Sequence, residues 1–230
     1  MRLDYYLATA TGCSRKDAKR AIGDQRVQVD GQGCRSGSAR VEAGALVLLD
    51  GEPVTLPAER YLMLHKPAGV LSATTDSSQP TALDLLPAEL ARQLHIAGRL
   101  DKDTTGLLLL TTDGQWSHRV TSPRRDCPKT YRVELAEPLT ETARRALESG
   151  IELKGEDRPT RPAQVIQRSA RVIELTINEG RYHQVKRMLA AAGNHVTALH
   201  RLQIGGIILD DTLAPGDFRE LTTAEVASVL

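Results

Sequence analysis

Residues 98–114 read GRLDKDTTGLLLLTTDG. An arginine, two acids and a threonine pair stand in front of an unbroken apolar run, Leu107 to Leu110. A short apolar run bounded by turn residues has the pattern of a buried strand. The polar residues before it then lie on the loop that enters a sheet, where a rigid scaffold can hold reactive groups. The acids of Asp101 to Gly106 admit a cation-binding loop, a phosphoester-cleaving carboxylate or a solvated surface turn.

Bulk properties limit what surrounds this stretch. The chain has 230 residues, enough for one large domain or a small one plus a medium one. It is 40% hydrophobic and 26% charged, an ordinary globular composition. Net charge is +1, so any nucleic-acid signal must come from local clustering. No apolar run approaches the roughly 18 residues of a membrane span. MRLDYY has no apolar h-region, so no secretory signal is expected. Cys13, Cys34 and Cys127 form neither a disulfide framework nor a CxxC metal pair. A reduced, cytoplasmic protein is expected.

Residues 1–58 are expected to form a separate small unit. Ser14 to Asp17 fits a capping box ahead of a helix that stops near Gly23. In projection Arg15, Lys16, Lys19 and Arg20 share an arc of roughly 140°. Over residues 1–26 six basic residues face three acidic ones, an excess of +3. Cations on one face suit phosphate contacts. Strands are expected at Arg26 to Val29 and Val41 to Leu49, each ending in an Asp-Gly turn, Asp30-Gly31 and Asp50-Gly51.

From residue 59 a second unit is expected, through residue 230. Tyr61 to His65 reads as a strand, Lys66 to Gly69 as a turn and Val70 to Thr74 as its return. Further strands are expected at Thr130 to Leu135, Ala163 to Gln167, Val172 to Ile177 and Ile204 to Leu209. Helices are expected at Thr81 to Gln93 with a break at Pro87, Trp116 to Val120, Thr140 to Leu147, Tyr182 to Ala192 and after Thr222. Strands come in pairs with few helices between them. That predicts an α+β fold: a small N-terminal α/β unit, then a mixed, mainly antiparallel sheet with flanking helices.

Three readings of the acidic stretch separate on their neighbours. A calcium loop needs a bidentate glutamate at the twelfth position, which here is Thr112. Asp101, Asp103 and Thr105 resemble the signature of haloacid-dehalogenase-like, magnesium-dependent phosphohydrolases, and Asp210-Asp211 resembles that family's later acidic pair. Those enzymes place the signature after a hydrophobic strand, and Leu94 to Leu100 is not one. The third reading is carried by several segments together. GRLDKDTTGLLLLTTDG strongly resembles the catalytic segment of the pseudouridine synthase superfamily. CPKTYRV, residues 127–133, is similar to the segment with that family's active-site tyrosine. EGRYHQVKRM, residues 179–188, resembles its third motif, and YLMLHKPAG, residues 61–69, its opening one. The first residues, MRLDYYLATATGCSRKDAKRAIGDQRVQVDG, resemble the small RNA-binding domain of a small-subunit ribosomal protein and of tyrosyl-tRNA synthetases.

The resemblance implies an RNA enzyme that detaches a uracil, turns it and rejoins it through carbon. It implies Asp101 as the essential carboxylate, Tyr131 as the active-site tyrosine and Lys186 as the basic partner of Asp101. Lysine at that position marks the branch acting on small-subunit and some large-subunit ribosomal uridines. The implied partner is 16S ribosomal RNA or a small-subunit assembly intermediate, and the implied target is the uridine at position 516 in the usual numbering. No redox step and no phosphate transfer occur, so no cofactor and no metal are expected. A monomer is expected. The non-enzyme alternative is an rRNA-binding assembly factor that kept the fold.

The residue chemistry agrees with these roles. A carboxylate can attack carbon or take a proton only when ionised. In projection Lys186 lies at the border of an apolar stripe of Tyr182, Val185, Met188, Leu189 and Ala192, where a long stem can pack and its charge can reach a pocket. Tyr131 can stack on an extruded base or move a proton late. Arg99 shares the side of Asp101 if the segment is extended and is assigned to the vacated helix site or a phosphate. Arg124, Arg125, Lys129 and Arg132 form a basic cluster expected to track the RNA backbone. His183, His195 and His200 lack metal-ligand spacing and are expected to be structural or RNA-contacting.

Overall fold

A computed structural model describes residues 1–122 and 125–229. The chain divides into two compact units, Met1–Ala58 and Glu59–Leu230.

The first unit begins with two helices, α1 (Leu3–Thr11) and α2 (Arg15–Gly23). Helix α1 is not among the elements expected from sequence. It ends at Gly12, whose φ of 74° closes it in the left-handed region. Helix α2 starts as expected, with Ser14 Oγ accepting from Asp17 N. The reciprocal bond of a capping box is replaced by Ser14 Oγ donating to Asp17 Oδ2 at 2.6 Å. Four short strands follow: β1 (Val27–Val29), β2 (Gln32–Gly33), β3 (Val47–Leu49) and β4 (Glu52–Pro53). They form an antiparallel sheet in the order β2-β1-β3-β4. Both Asp-Gly turns have positive φ at each residue, the geometry a two-residue hairpin loop requires. Only the end of the strand expected at Val41 to Leu49 forms, because Gly44 interrupts it with a φ of 85°. Leu3, Leu7, Ala18, Ile22, Val27 and Val47 make the core of this unit.

The second unit is built on a mixed sheet. In chain order its elements begin with β5 (Tyr61–Lys66), a 3-10 turn (Ala82–Leu85), α3 (Ala88–Ala91), β6 (His95–Ala97) and β7 (Thr105–Thr111). Then come α4 (Gly114–Thr121), β8 (Lys129–Leu135), α5 (Glu141–Ser149), β9 (Gln164–Gln167), β10 (Val172–Ile177) and α6 (Gln184–Ala191). Strands β11 (Val196–Ile204), β12 (Ile207–Ile208) and β13 (Phe218–Glu220) and helix α7 (Thr223–Ala227) complete it. The sheet runs β13-β5-β7-β11-β8-β10-β9, with β6 on β7 and β12 on β11. Among the described residues β7 and β11 are the only parallel pair.

Strand β7 explains why its sequence has no polar alternation. Leu108 and Leu110 enter one core with Leu62, Leu64 and the residues of α5 and α6. Leu107 and Leu109 enter a second core with Met63, Trp116, Ile204 and Ile207. Both faces of the strand are covered, so all four leucines are fully buried. Each is worth roughly 1.5–3 kcal/mol of transfer free energy.

Val70 to Thr74 does not return as a hairpin strand. The two edges of β5 are already taken by β7 and β13, so Leu71 makes an isolated bridge to Thr81 instead. The strand expected at Ile204 to Leu209 is a turn at Gly205-Gly206 between β11 and β12. The acidic segment precedes β7 rather than following a parallel strand. That arrangement overturns the phosphohydrolase expectation, whose fold needs repeated strand–helix crossovers.

Candidate active site

Asp101 stands on the loop between β6 and β7, and that loop is held mainly by its carbonyls. Lys66 is fully buried, and its ammonium donates to Pro67 O at 3.0 Å, Lys102 O at 3.2 Å and Thr104 O at 2.8 Å. Ser72 Oγ donates to Leu100 O and accepts from Leu100 N. Arg201, on β11 and 2% exposed, donates from Nε to Leu107 O at 2.8 Å. Its two terminal nitrogens donate to Gly98 O at 3.0 Å and Arg99 O at 3.3 Å. Gly106 makes this approach possible: a Cβ there would lie 2.4 Å from Arg201 O, and its φ is 103°. Two buried cations without a carboxylate bond thus fix the backbone on both sides of Asp101. Burial pushes the Lys66 pKa down to about 8, against the opposing pull of Asp103 and Asp101.

The loop borders a cleft of about 690 Å³, within the usual range for a ligand site. Asp101, Tyr131 and Lys186 all line it, as do Arg99, Lys129, Arg201 and the segment Glu179 to Lys186. Asp101 is 26% exposed at its side chain. Lys186 Nζ lies 3.2 Å from its Oδ2, and His183 Nε2 lies 3.4 Å from its Oδ1. The same lysine donates to both oxygens of Asp103, at 2.7 and 2.9 Å. Burial works against the charge on Lys186, but its bonds to Asp103 and Asp101 outweigh burial and raise its pKa. Asp103 is held below the ordinary carboxylate range chiefly by its bond to Lys186. Asp103 lines a smaller depression of about 380 Å³ that shares Asp101, Lys102, His183 and Lys186 with the cleft.

Tyr131 is 9% exposed and belongs to the core as well as the cleft wall. In register it sits opposite Arg201 on β11 and Leu175 on β10. The Arg201 guanidinium lies 6.0 Å from the Tyr131 ring centroid, within cation–π range.

Helix α6 begins two residues later than the apolar pattern suggests. His183 caps it with φ 46° and ψ 36°, a left-handed conformation costing roughly 1–2 kcal/mol outside glycine. Gln184 is buried and its Oε1 accepts from Arg181 N, which turns the chain before the first helical residue. Tyr182 therefore leaves the apolar stripe. It is exposed and stacks on His183, ring centroids 3.8 Å apart.

The basic residues sort differently from expectation. Lys129 does not track a backbone outside: it donates to Cys127 O at 2.7 Å and Val120 O at 3.2 Å, and burial lowers its pKa. Arg99 is exposed at the cleft, with no side-chain partner among the described residues. Arg125 is exposed, while Arg124 lies outside the described residues. In the first unit Arg15 bonds Asp4, Lys19 stands 3.9 Å from the same carboxylate and Arg20 pairs with Asp17. Lys16 is exposed and unpaired among the described residues. Arg201 and Lys66 carried no role in the sequence reading, Asp103 only in the phosphohydrolase signature, and His183 was expected as structural or RNA-contacting. Lys66, Asp103 and His183 lie within the quoted motif segments, and Arg201 lies in none of them.

Comparison with known proteins decides the family. The family model described as RNA pseudouridylate synthase matches residues 60–191, and the S4 domain model matches residues 1–47. The chain belongs to the RNA pseudouridylate synthase family. It is an RNA-acting isomerase, with an S4 domain ahead of its synthase domain. It is 51% identical to the ribosomal small subunit pseudouridine synthase A of Vibrio parahaemolyticus, over 100% of this chain and 99% of that one. It is 48% identical to the protein of the same name from Escherichia coli, over 100% of both chains. A crystal structure of a pseudouridylate synthase, 44% identical, superposes with a TM-score of 0.74 and full coverage of both chains.

Proposed function

We propose that this enzyme converts one uridine of 16S ribosomal RNA to pseudouridine, with Asp101 as the reactive carboxylate and Lys186 and Tyr131 as its partners. The observation that carries the reading is convergence: the β6–β7 loop, β8 and α6 each bring one of these side chains to a single cleft. The small-subunit names of the full-length relatives support the substrate. Within that RNA we take the uridine at position 516, the target carried by the family resemblance. The same reading has a monomer acting in the cytoplasm, on the RNA or on a small-subunit assembly intermediate.

The reaction breaks the N1–C1′ bond, forms a C5–C1′ bond, removes the C5 proton and returns a proton to N1. The uridine must leave the helical stack first, because neither bond is reachable inside it. Tyr131 offers a ring at the cleft wall for the extruded uracil. Asp101 supplies an ionised carboxylate that attacks carbon or takes a sugar proton. Lys186 holds that carboxylate from one oxygen and His183 stands 3.4 Å from the other, while a quarter of the side chain stays exposed. Arg99, without a side-chain partner among the described residues, is placed to hold the vacated helix site or a phosphate. Arg15, Lys16, Lys19, Arg20 and Arg125 are assigned to the RNA backbone, as is Arg124.

The test is release of tritium from C5 of labelled uridine in unmodified small-subunit RNA, naked or in particles, with EDTA present. Release is expected, and mapping the product should place it at one position. RNA binding without release from either form would make the chain a non-catalytic assembly factor.

A further inference from the structure

The reaction above gives Tyr182 nothing to do, yet its position is unusual. At 76% exposure it is the most open of the large apolar and aromatic side chains among the described residues. One face of its ring is covered by the His183 imidazole, at 3.8 Å and 21° between planes. His183 in turn meets the Asp101 carboxylate at 3.4 Å. The open ring is therefore one layer removed from the proposed reactive group, at the cleft that Tyr182 and His183 both line.

The local backbone holds the pair there. The left-handed His183 keeps both rings off the helix. Arg187 donates to Tyr182 O at 3.2 Å and, through its other nitrogen, to Lys154 O at 2.8 Å. Arg181 is bonded to Arg158 O and Pro159 O. Glu156 is tied to Arg187 and Arg181. The Lys154 and Arg158 side chains are left exposed, without acidic partners among the described residues. An open aromatic face, on a segment tied through Arg187 and Arg181 to one that carries exposed cations, is a surface on which an unstacked nucleobase can settle.

We propose that Tyr182 is a stacking platform for a nucleobase of the substrate RNA flanking the target uridine. This rests on the RNA-modifying reading above. A base on the open face completes a three-layer stack of base, Tyr182 and His183, and holds the neighbour outside while the uridine enters the cleft. The site takes any base by its flat face, so it fixes the register of the strand rather than its sequence.

The test uses Tyr182→Trp in the full chain, where native Trp116 is fully buried and gives a constant background. The probe is transcribed small-subunit RNA, naked and assembled with its ribosomal proteins. Saturable quenching of the introduced indole on RNA binding is expected. Tyr182→Ala should raise KM about tenfold with little change in kcat, and Tyr182→Phe should restore KM, since stacking needs the ring and not the hydroxyl. RNA retained on a filter without quenching overturns the proposal, as does an unchanged KM in Tyr182→Ala. Quenching by the ribosomal proteins alone overturns it in favour of a protein contact. Quenching with no tritium release from the wild type breaks the functional reading and leaves the platform standing, and release without quenching does the reverse. Failure to bind RNA in either form overturns both.

Discussion

Asp4 and Asp101 are both aspartates ringed by cations, and they are built for opposite ends. Asp4 is fully buried in the S4 domain. Arg2 grips both of its oxygens at 3.0 Å, Arg15 adds a bond at 3.2 Å and Lys19 stands at 3.9 Å. Its carboxyl is held well below the usual range, first by the bond to Arg2. Asp101 keeps a quarter of its side chain exposed and receives a lysine that bonds Asp103 more closely. A guanidinium fork occupies a carboxylate from two directions, whereas a single ammonium occupies one. Saturation makes Asp4 a structural anchor. Partial occupation leaves Asp101 able to reach a substrate.

Substituting each aspartate by its amide should separate the two designs. Asp101→Asn should lower tritium release at least about 1,000-fold, because the amide neither attacks nor takes a proton. RNA affinity and the melting midpoint should not move. Equal loss of binding and turnover would make Asp101 a structural residue and erase the contrast with Asp4. Asp4→Asn should act the other way, lowering the melting midpoint by several degrees with kcat retained, since Arg2 and Arg15 lose the negative charge and one of the two oxygens that accept from them. Acid unfolding followed by circular dichroism adds a sign. The folded pKa of Asp4 is depressed, so its stabilisation is complete above the ordinary carboxylate value and is lost as pH falls below it. Asp4→Asn should remove that portion of the acid transition.

A smaller effect tests the sharing of Lys186. Asp103→Ala removes the closer acceptor, so the ammonium falls wholly on Asp101 and takes up more of its lone pairs. We expect kcat to fall about tenfold with KM unchanged. An unchanged or faster kcat would mean that Asp103 only shapes the loop.

These contrasts were unevenly legible in the chain. The four leucines of β7, the serine and threonine caps and the Asp-Gly turns are local signals, and each appears where the local rule puts it. Strand β11 was hidden because register shifts at Val196/Ala198 and Arg201/Gln203 break its alternation. Arg201 reads as a surface residue by type. It is buried where two carbonyls of the β6–β7 loop and one of β7 accept its donors, a long-range arrangement no window of sequence contains. Lys129 misled for the same reason, its ammonium being turned onto carbonyls next to its own strand. Tyr182 was misplaced by a backbone reversal at His183, which the helical periodicity of the segment does not reveal. The Asp101–Lys186 pairing came from motif resemblance, since residues 85 apart in sequence carry no local sign of contact.

The mildest prediction concerns Lys66, which ties the loop of Asp101 to the scaffold as Arg2 ties Asp4. An ammonium has three protons, and Lys66 spends them on three carbonyls. A neutral amine has two. As pH rises through about 8, Lys66 deprotonates and one of the three carbonyls loses its donor, which loosens the tie on the loop of Asp101. Turnover should decline over that limb by a few-fold, because misplacing a reactive group by a fraction of an ångström is costly to rate. Stability should not follow. The folded pKa lies below the unfolded value of 10.5, so the unfolded chain binds more protons between about 8 and 10.5. This group's contribution to stability therefore rises across the same window. A pH–rate profile that falls while the melting midpoint holds would assign the limb to loop geometry. Loss of both together would assign it to unfolding, and persistence of the limb in Lys66→Met would assign it to another group.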